Sequence, residues 1–100
     1  MSDTQVMERI DELALKFNET RDNQYFNQYA SLAIPIIKRM IGKICTGSTR
    51  WDPDELFSIL LTDMWRLFKR WEPVENKKFH WLMLRQLKNK AINYIHQIEG

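Results

Sequence analysis

The sequence predicts an all-α protein, a compact four-helix bundle that forms one domain over residues 1–100. Apolar residues recur every three or four positions through each long segment, which is the period of an amphipathic helix. The alternation of apolar and polar residues that marks strands is absent, and only three Gly and three Pro interrupt the chain. A chain of 100 residues with 44% hydrophobic side chains can bury a single core.

The first two helices are predicted from their apolar stripes. Helix one is expected to begin at Asp3 or Thr4 and to end at Glu19, and helix two is expected over residues 23–45. Pro35 lies inside helix two and should kink or split it, because proline has no N–H to donate to the preceding turn. The residues expected to face the core are Val6, Ile10, Leu13 and Phe17 in helix one and Phe26, Tyr29, Ala33, Ile36, Ile37, Met40 and Ile44 in helix two.

Helix three has the clearest start in the sequence, at Asp52-Pro53-Asp54-Glu55. This run places Asp at the N-cap, Pro in the first helical position and Glu where it closes a capping box. A loop over residues 46–49 precedes it, helix three runs to about Trp71, and helix four begins near Lys77 after one turn. The residues expected to be buried are Leu56, Phe57, Leu60, Met64, Leu67, Phe68 and Trp71 in helix three and Phe79, Met83, Leu87, Ala91, Tyr94 and Ile95 in helix four.

The charge of the chain is unevenly distributed, although the net charge is only +2. Residues 1–37 hold three Lys or Arg against six Asp or Glu, whereas residues 66–97 hold eight against two. The C-terminal half is therefore expected to face an anion. On the polar side of helix four, cations and amides that can donate to phosphates and bases lie beside an indole ring. This arrangement is suited to stacking unpaired bases and holding their backbone. The alternative is a basic face that is simply solvated. These residues are Trp81, Leu82, Arg85, Gln86, Lys88, Asn89, Lys90 and Asn93.

Catalysis, metal binding and cofactor binding are not expected. No nucleophile with a base, no ligand cluster and no glycine-rich phosphate loop occurs at a recognisable spacing. His80 and His96 have no predicted carboxylate partner and are expected to be solvated surface residues. Cys45, the single cysteine, cannot form an intrachain disulfide and is expected to be a small buried hydrophobe. The tryptophans at positions 51, 65 and 71 are expected at the core or its edge.

Membrane insertion and export are not expected either. No apolar run approaches the roughly 20 residues that span a bilayer, and the N-terminus lacks the basic and apolar parts of a signal peptide. A cytoplasmic protein is the natural expectation from these features.

Taken in order, several motifs resemble conserved region 2 of the sigma-70 family of bacterial RNA polymerase sigma factors. They are Asp54-Glu55-Leu56-Phe57, then Lys69-Arg70-Trp71-Glu72-Pro73, then Lys78-Phe79, and finally Arg85, Asn89 and Ala91-Ile92-Asn93-Tyr94-Ile95. The upstream segments Leu13-Ala14-Leu15-Lys16-Phe17, Asp22 to Phe26 and Pro35-Ile36-Ile37 are similar to the lead-in helices of that domain. The resemblance covers nearly the whole chain.

The resemblance implies two partners. The third helix of the family docks on the clamp coiled coil of the largest RNA polymerase subunit, and the fourth captures the non-template strand of the promoter −10 element. By position, the polymerase surface is Glu55, Ser58, Ile59 and Thr62, to which the charged arc of helix three adds Asp63 and Arg66. The DNA surface is Lys77, Lys78, Phe79, Leu82, Arg85, Gln86, Asn89 and Ile92, to which the pattern of helix four adds Trp81, Lys88 and Asn93.

The chain departs from the family at the residues that open the duplex. Primary sigma factors have an aromatic residue at the position of Leu82 and a tryptophan pair at Arg85-Gln86, so strand opening here needs Trp81 and Phe79 to take over the stacking. No −35-reading domain follows, so the chain is either a fragment or a one-domain factor of phage, mobile-element or two-subunit type that depends on a companion sigma subunit. A polymerase-docking regulator that does not open DNA, and a helical interaction module unrelated to transcription, remain the alternatives.

Overall fold

The computed structural model describes residues 2–44 and 52–99, which form four α-helices. The helices are α1 (Asp3–Thr20), α2 (Asn23–Ile44), α3 (Pro53–Arg70) and α4 (Phe79–Glu99). The predicted all-α fold is therefore confirmed. The expectations for the loop at 46–49, for Cys45 and for Trp51 concern residues outside the described part of the chain.

The four helices enclose one hydrophobic core. Each helix packs against the next helix in the chain, and α4 also packs against α1, so that the bundle closes. Its principal extents are 42 × 26 × 25 Å. The buried residues are Ile10, Leu13, Ala14, Phe17, Tyr29, Ala33, Ile37, Ile41, Leu56, Leu60, Met64, Leu67, Phe68, Phe79, Met83, Leu87, Ala91 and Tyr94.

Aromatic rings form the centre of this core. The Tyr29 ring stacks on the Phe68 ring with a centroid separation of 4.0 Å. Phe79 meets the rings of Tyr29 and Phe68 edge-on, at 5.8 and 5.7 Å. Trp65 and Trp71 are half-buried beside them, as expected for residues at the core edge. This cluster joins α2, α3 and the first turn of α4, and it anchors the end of the bundle that carries the candidate site.

The first helix begins at Asp3, as predicted, and Ser2 is its N-cap. The backbone N–H of Gln5 donates to the Ser2 hydroxyl at 3.3 Å, and the Ser2 N–H donates to the Gln5 side-chain oxygen at 2.9 Å. This reciprocal pair is a capping box. Between α1 and α2, the Asp22 carboxylate accepts from the backbone N–H of Gln24 at 3.0 Å, the hydrogen bond that an N-cap side chain makes.

Of the kink or split expected at Pro35, the split is wrong, because one helix runs through Asn23–Ile44. Pro35 is exposed, while Ala33 and Ile37 on either side of it are buried in the core. Burial of those neighbours opposes the cost of about 3 kcal/mol that an interior proline imposes on a helix.

The third helix starts where predicted but is capped differently. The Asp52 carboxylate accepts from the backbone N–H of Asp54 at 2.9 Å, and Pro53 occupies the first helical position. The predicted capping box is wrong, because Glu55 accepts a hydrogen bond from the Tyr94 hydroxyl at 3.2 Å instead of turning back to the N-cap. The Glu55 side chain thus joins α3 to α4.

Candidate nucleic-acid interface

Helix α4 has two faces, and the 3.6-residue period decides which residue belongs to which. Phe79, Met83, Leu87, Ala91 and Tyr94 form the buried face. The residues on the outward side are exposed: Trp81, Arg85, Lys88, Asn89, Ile92 and Asn93. The helix therefore presents an aromatic ring, two cations and two amides to solvent along about three turns. We call these six residues the outer face of α4.

Most of the predicted DNA-binding residues lie on or beside this outer face. Lys77 and Lys78, just before the helix, are exposed, whereas Leu82 and Gln86 are half-buried at its edge. Phe79 is the exception and a correction: its side chain is 0% exposed, so it cannot touch DNA. The resemblance assigned it to DNA, but its place on the apolar stripe of α4 decides in favour of the core.

An open cleft of about 660 Å³ adjoins the N-terminal end of the outer face. The indole of Trp81 is 54% exposed at this cleft, and the Lys78 ammonium lies 5.7 Å from its ring centroid. The cleft is lined by Trp71, Glu72, Val74, Asn76, Lys77, Lys78, Trp81, Leu82 and Arg85.

A tight turn between α3 and α4 forms one wall of the cleft. The backbone N–H of Lys77 donates to the Val74 carbonyl at 3.1 Å, and Asn76 has a positive φ of 63°. Asparagine tolerates this left-handed conformation better than most residues do. Because Lys77 belongs to the turn, α4 begins two residues later than its predicted start near Lys77. The turn brings both lysines to the mouth of the cleft.

The other residues of the cleft were hard to predict from the sequence. Trp71 was expected in the core or at its edge, and Glu72, Val74 and Asn76 were expected in the turn before helix four, yet all four line the cleft. Val74 is 55% exposed and lines the cleft together with the half-buried Trp71. An apolar residue inside a polar turn was the available signal.

His80 has a carboxylate partner, contrary to the prediction. Its Nδ1 lies 2.7 Å from Oδ2 of Asp11 in α1, and its backbone N–H donates to Oδ1 of the same carboxylate at 2.8 Å. Sequence reasoning missed the pair because its members are 69 positions apart. His96 is exposed, as expected.

The predicted polymerase surface is a shallow groove along α3. Its volume is about 330 Å³, and Lys90 of α4 forms its far side. Ile59 is half-buried there and packs against the core edge, while Glu55 is exposed and bonded to Tyr94 outside the groove. The predicted residues that line it are Ser58, Ile59, Thr62, Asp63 and Arg66.

Two buried tyrosines have shifted acidities. Burial, reinforced by the nearby charge of Asp63, raises the pKa of Tyr29 far above its usual value. Burial also raises the pKa of Tyr94, and the neighbouring Glu55 carboxylate acts in the same direction. Both hydroxyls therefore remain protonated donors at neutral pH.

The arrangement is suited to holding a polyanion. Cations, amides and an exposed indole can bind phosphates and stack bases without forming or breaking covalent bonds. Within residues 2–44 and 52–99, no group of His, Cys, Asp and Glu is placed to hold a metal ion. None of the described helices is long and apolar enough to cross a membrane. No protein-family model matches the chain, and comparisons with curated proteins and with solved structures gave no match.

Proposed function

We propose that this chain is a sigma region 2-like transcription factor that binds unpaired promoter DNA through the outer face of α4 and core RNA polymerase through the groove on α3. The observation that carries the proposal is the exposed side of α4, on which Trp81, Arg85 and Asn89 follow one another at intervals of four residues beside an open cleft. The order of motifs along the chain, which resembles that of sigma region 2, is the reason for proposing a sigma factor and not another nucleic-acid-binding protein.

In the proposed complex the side chains divide the work by chemistry. Lys77, Lys78, Arg85 and Lys88 hold the sugar-phosphate backbone, and each contact to a single strand contributes a slope of about 0.7 to the logarithmic salt dependence of affinity. Trp81 stacks on a base, an interaction worth about 1–3 kcal/mol. The amides of the outer face donate to and accept from the edges of unpaired bases.

The same geometry favours capture of an open strand over opening of a duplex. A wedge needs exposed rings at the point where base pairs separate, and Phe79 is buried while Leu82 is a half-buried aliphatic residue. Trp81 is left to stack without the second ring that would complete a wedge. We therefore propose that polymerase or a companion sigma subunit supplies the opening, with this chain holding the exposed non-template strand.

Fluorescence anisotropy with a labelled single strand carrying a −10-like sequence, its duplex and a forked junction tests the DNA part of the proposal. We expect the single strand and the fork to bind more tightly than the duplex, and Trp81→Ala and the double variant Arg85→Ala/Asn89→Ala to weaken binding about tenfold without loss of helicity. Lys43→Ala is the matched control, because it removes an exposed cation from α2 on another side of the bundle. Equal binding by all these variants would contradict the proposal.

A second candidate function, a polymerase-docking regulator that does not contact DNA, is favoured by the α3 groove alone. Its apolar residue, Ile59, lines the groove together with the charged side chains of Asp63 and Arg66, as expected for an interface anchor. Both functions predict retention of the chain on immobilised core polymerase. Binding to forked −10 DNA separates them, because the regulator is expected to leave it unbound.

A further inference from the structure

One carboxylate from α1 holds the first turn of α4. Asp11 accepts the backbone N–H of His80 at 2.8 Å and contacts the His80 ring nitrogen at 2.7 Å. The side chains are well enclosed, with exposed fractions of 19% for Asp11 and 15% for His80. This two-point contact joins α1 to α4, two helices that pack against each other.

The start of α4 needs such a partner. The first N–H groups of a helix have no carbonyl partner within the helix, and an N-cap side chain with an oxygen usually accepts one of them. Lys78, which precedes α4, has only donors on its side chain. Asp11 therefore performs from another helix the capping role that the local sequence cannot perform, and its negative charge suits the helix N-terminus.

The capped residue is adjacent to the candidate interface. The His80 ring lies 5.9 Å from the Trp81 ring, and the Lys78 ammonium lies 5.7 Å from the centroid of the same indole. Rotation or fraying of the first turn would displace both Trp81 and Lys78 from the cleft. The position of these two side chains thus depends on the contact between Asp11 and His80.

We propose that Asp11 is a positioning residue for nucleic-acid binding: by capping α4 it sets the placement of Lys78 and Trp81 without touching the ligand. The inference rests on the proposed DNA binding by the outer face. The inference predicts that removal of an acidic residue weakens binding of a polyanion, although Asp11 lies close to the proposed site. Simple electrostatics predicts that its removal strengthens binding, whereas loss of positioning weakens it.

Single-strand binding by Asp11→Ala and Asp11→Asn distinguishes these outcomes. We expect Asp11→Ala to weaken binding about fivefold, the effect of a lost cap on the first turn, with an unchanged salt slope because no phosphate contact is lost. Asp11→Asn should bind nearly as the parent does, since its amide oxygen can still accept from His80. Tighter binding by Asp11→Ala, or equal weakening by both variants, overturns the proposal.

Glu8→Ala is the matched control. Glu8 shares a groove with Lys78, His80 and Trp81, but among the described residues it makes no hydrogen bond to α4. Its removal deletes a negative charge without removing a cap, so binding should be unchanged or tighter. If Glu8→Ala weakens binding as much as Asp11→Ala does, the effect is not one of positioning and the inference fails.

Amide hydrogen exchange tests the positioning without DNA. We expect the His80 amide to exchange about tenfold faster in Asp11→Ala than in the parent and in Asp11→Asn, with unchanged exchange at Tyr29 in the core. If the parent chain binds no DNA but shows this exchange pattern, the proposed function fails while the capping holds. If the parent binds DNA and the exchange rates are the same in all three proteins, the positioning role is refuted and the proposed function stands.

Discussion

Two aromatic residues two positions apart, Phe79 and Trp81, should respond in opposite ways to truncation. Phe79 is 0% exposed and Trp81 is 54% exposed. We expect Phe79→Ala to destabilise the fold severely, and Trp81→Ala to leave the fold nearly intact while weakening single-strand binding. The comparison tests the division of α4 into a core face and an outer face in the first turn, where a buried and an exposed aromatic residue lie two positions apart.

The magnitude follows from what each ring contacts. Phe79 meets the rings of Tyr29, Phe68 and Trp71 at centroid distances of 5.8, 5.7 and 5.4 Å, so its removal opens a cavity inside the aromatic cluster. Truncation of a buried phenylalanine costs about 3–5 kcal/mol. That is a large part of the roughly 5–15 kcal/mol that stabilises a domain, and it corresponds to a fall in melting temperature of about 15–30 °C. Trp81 contacts Lys78 and His80 at the surface, which is worth about 1 kcal/mol or less.

Urea titration followed by far-UV circular dichroism measures both effects on the free energy of unfolding. This signal is preferable to tryptophan fluorescence, because Trp81→Ala removes one of the four emitting residues. A loss of less than about 1.5 kcal/mol in Phe79→Ala would show that the ring is not packed in the core. A loss in Trp81→Ala equal to that in Phe79→Ala would show that the indole is structural, and would refute the assignment of faces.

Three further predictions concern stability and salt dependence. Burial raises the pKa values of Tyr29 and Tyr94, so at high pH the folded chain keeps both hydroxyls neutral while the unfolded chain ionises them. The free energy of unfolding should therefore be fully present below about pH 10 and fall above it, which thermal melts at a series of pH values measure. Tyr29→Phe should reduce the fall. Asp52→Ala should cost about 1 kcal/mol in urea titrations, because it removes the N-cap of α3. Lys78→Gln should lower the salt slope of single-strand binding by about 0.7, measured by anisotropy from about 50 to about 200 mM salt.

The helices and most of the core could be predicted because helical burial follows a local period. Ile10, Leu60 and Met83 each occupy a position in an apolar stripe, and each is fully buried. Phe79 belongs to the stripe of α4 as well, so the period was a better guide to its place than the family resemblance. Periodicity fails at helix ends, where one residue decides the boundary: Lys77 donates to a turn rather than to a helix.

The contacts that tie the helices together could not be predicted, because they depend on how separate segments pack. Asp11 and His80 are 69 positions apart, and Glu55 and Tyr94 are 39 apart. Each carboxylate had a plausible local role on its own helix, as a solvated residue or as part of a capping box. Only the packing of α4 against α1 and α3 brings these carboxylates to their partners.

Helix α4 also keeps the two candidate surfaces apart. Lys90 points to the α3 groove, whereas Ile92, two residues later, is 39% exposed on the outer face. Two isoleucines therefore allow a matched pair of variants. Ile59→Glu places a charge in the α3 groove, and Ile92→Glu places one among the residues proposed to bind DNA. If one chain binds polymerase and DNA through different sides of this helix pair, the first variant should lose polymerase and keep single-strand binding, and the second should do the reverse. Loss of both activities in either variant, with its melting temperature intact, would mean that the two surfaces are one site and that the division between α3 and α4 is wrong.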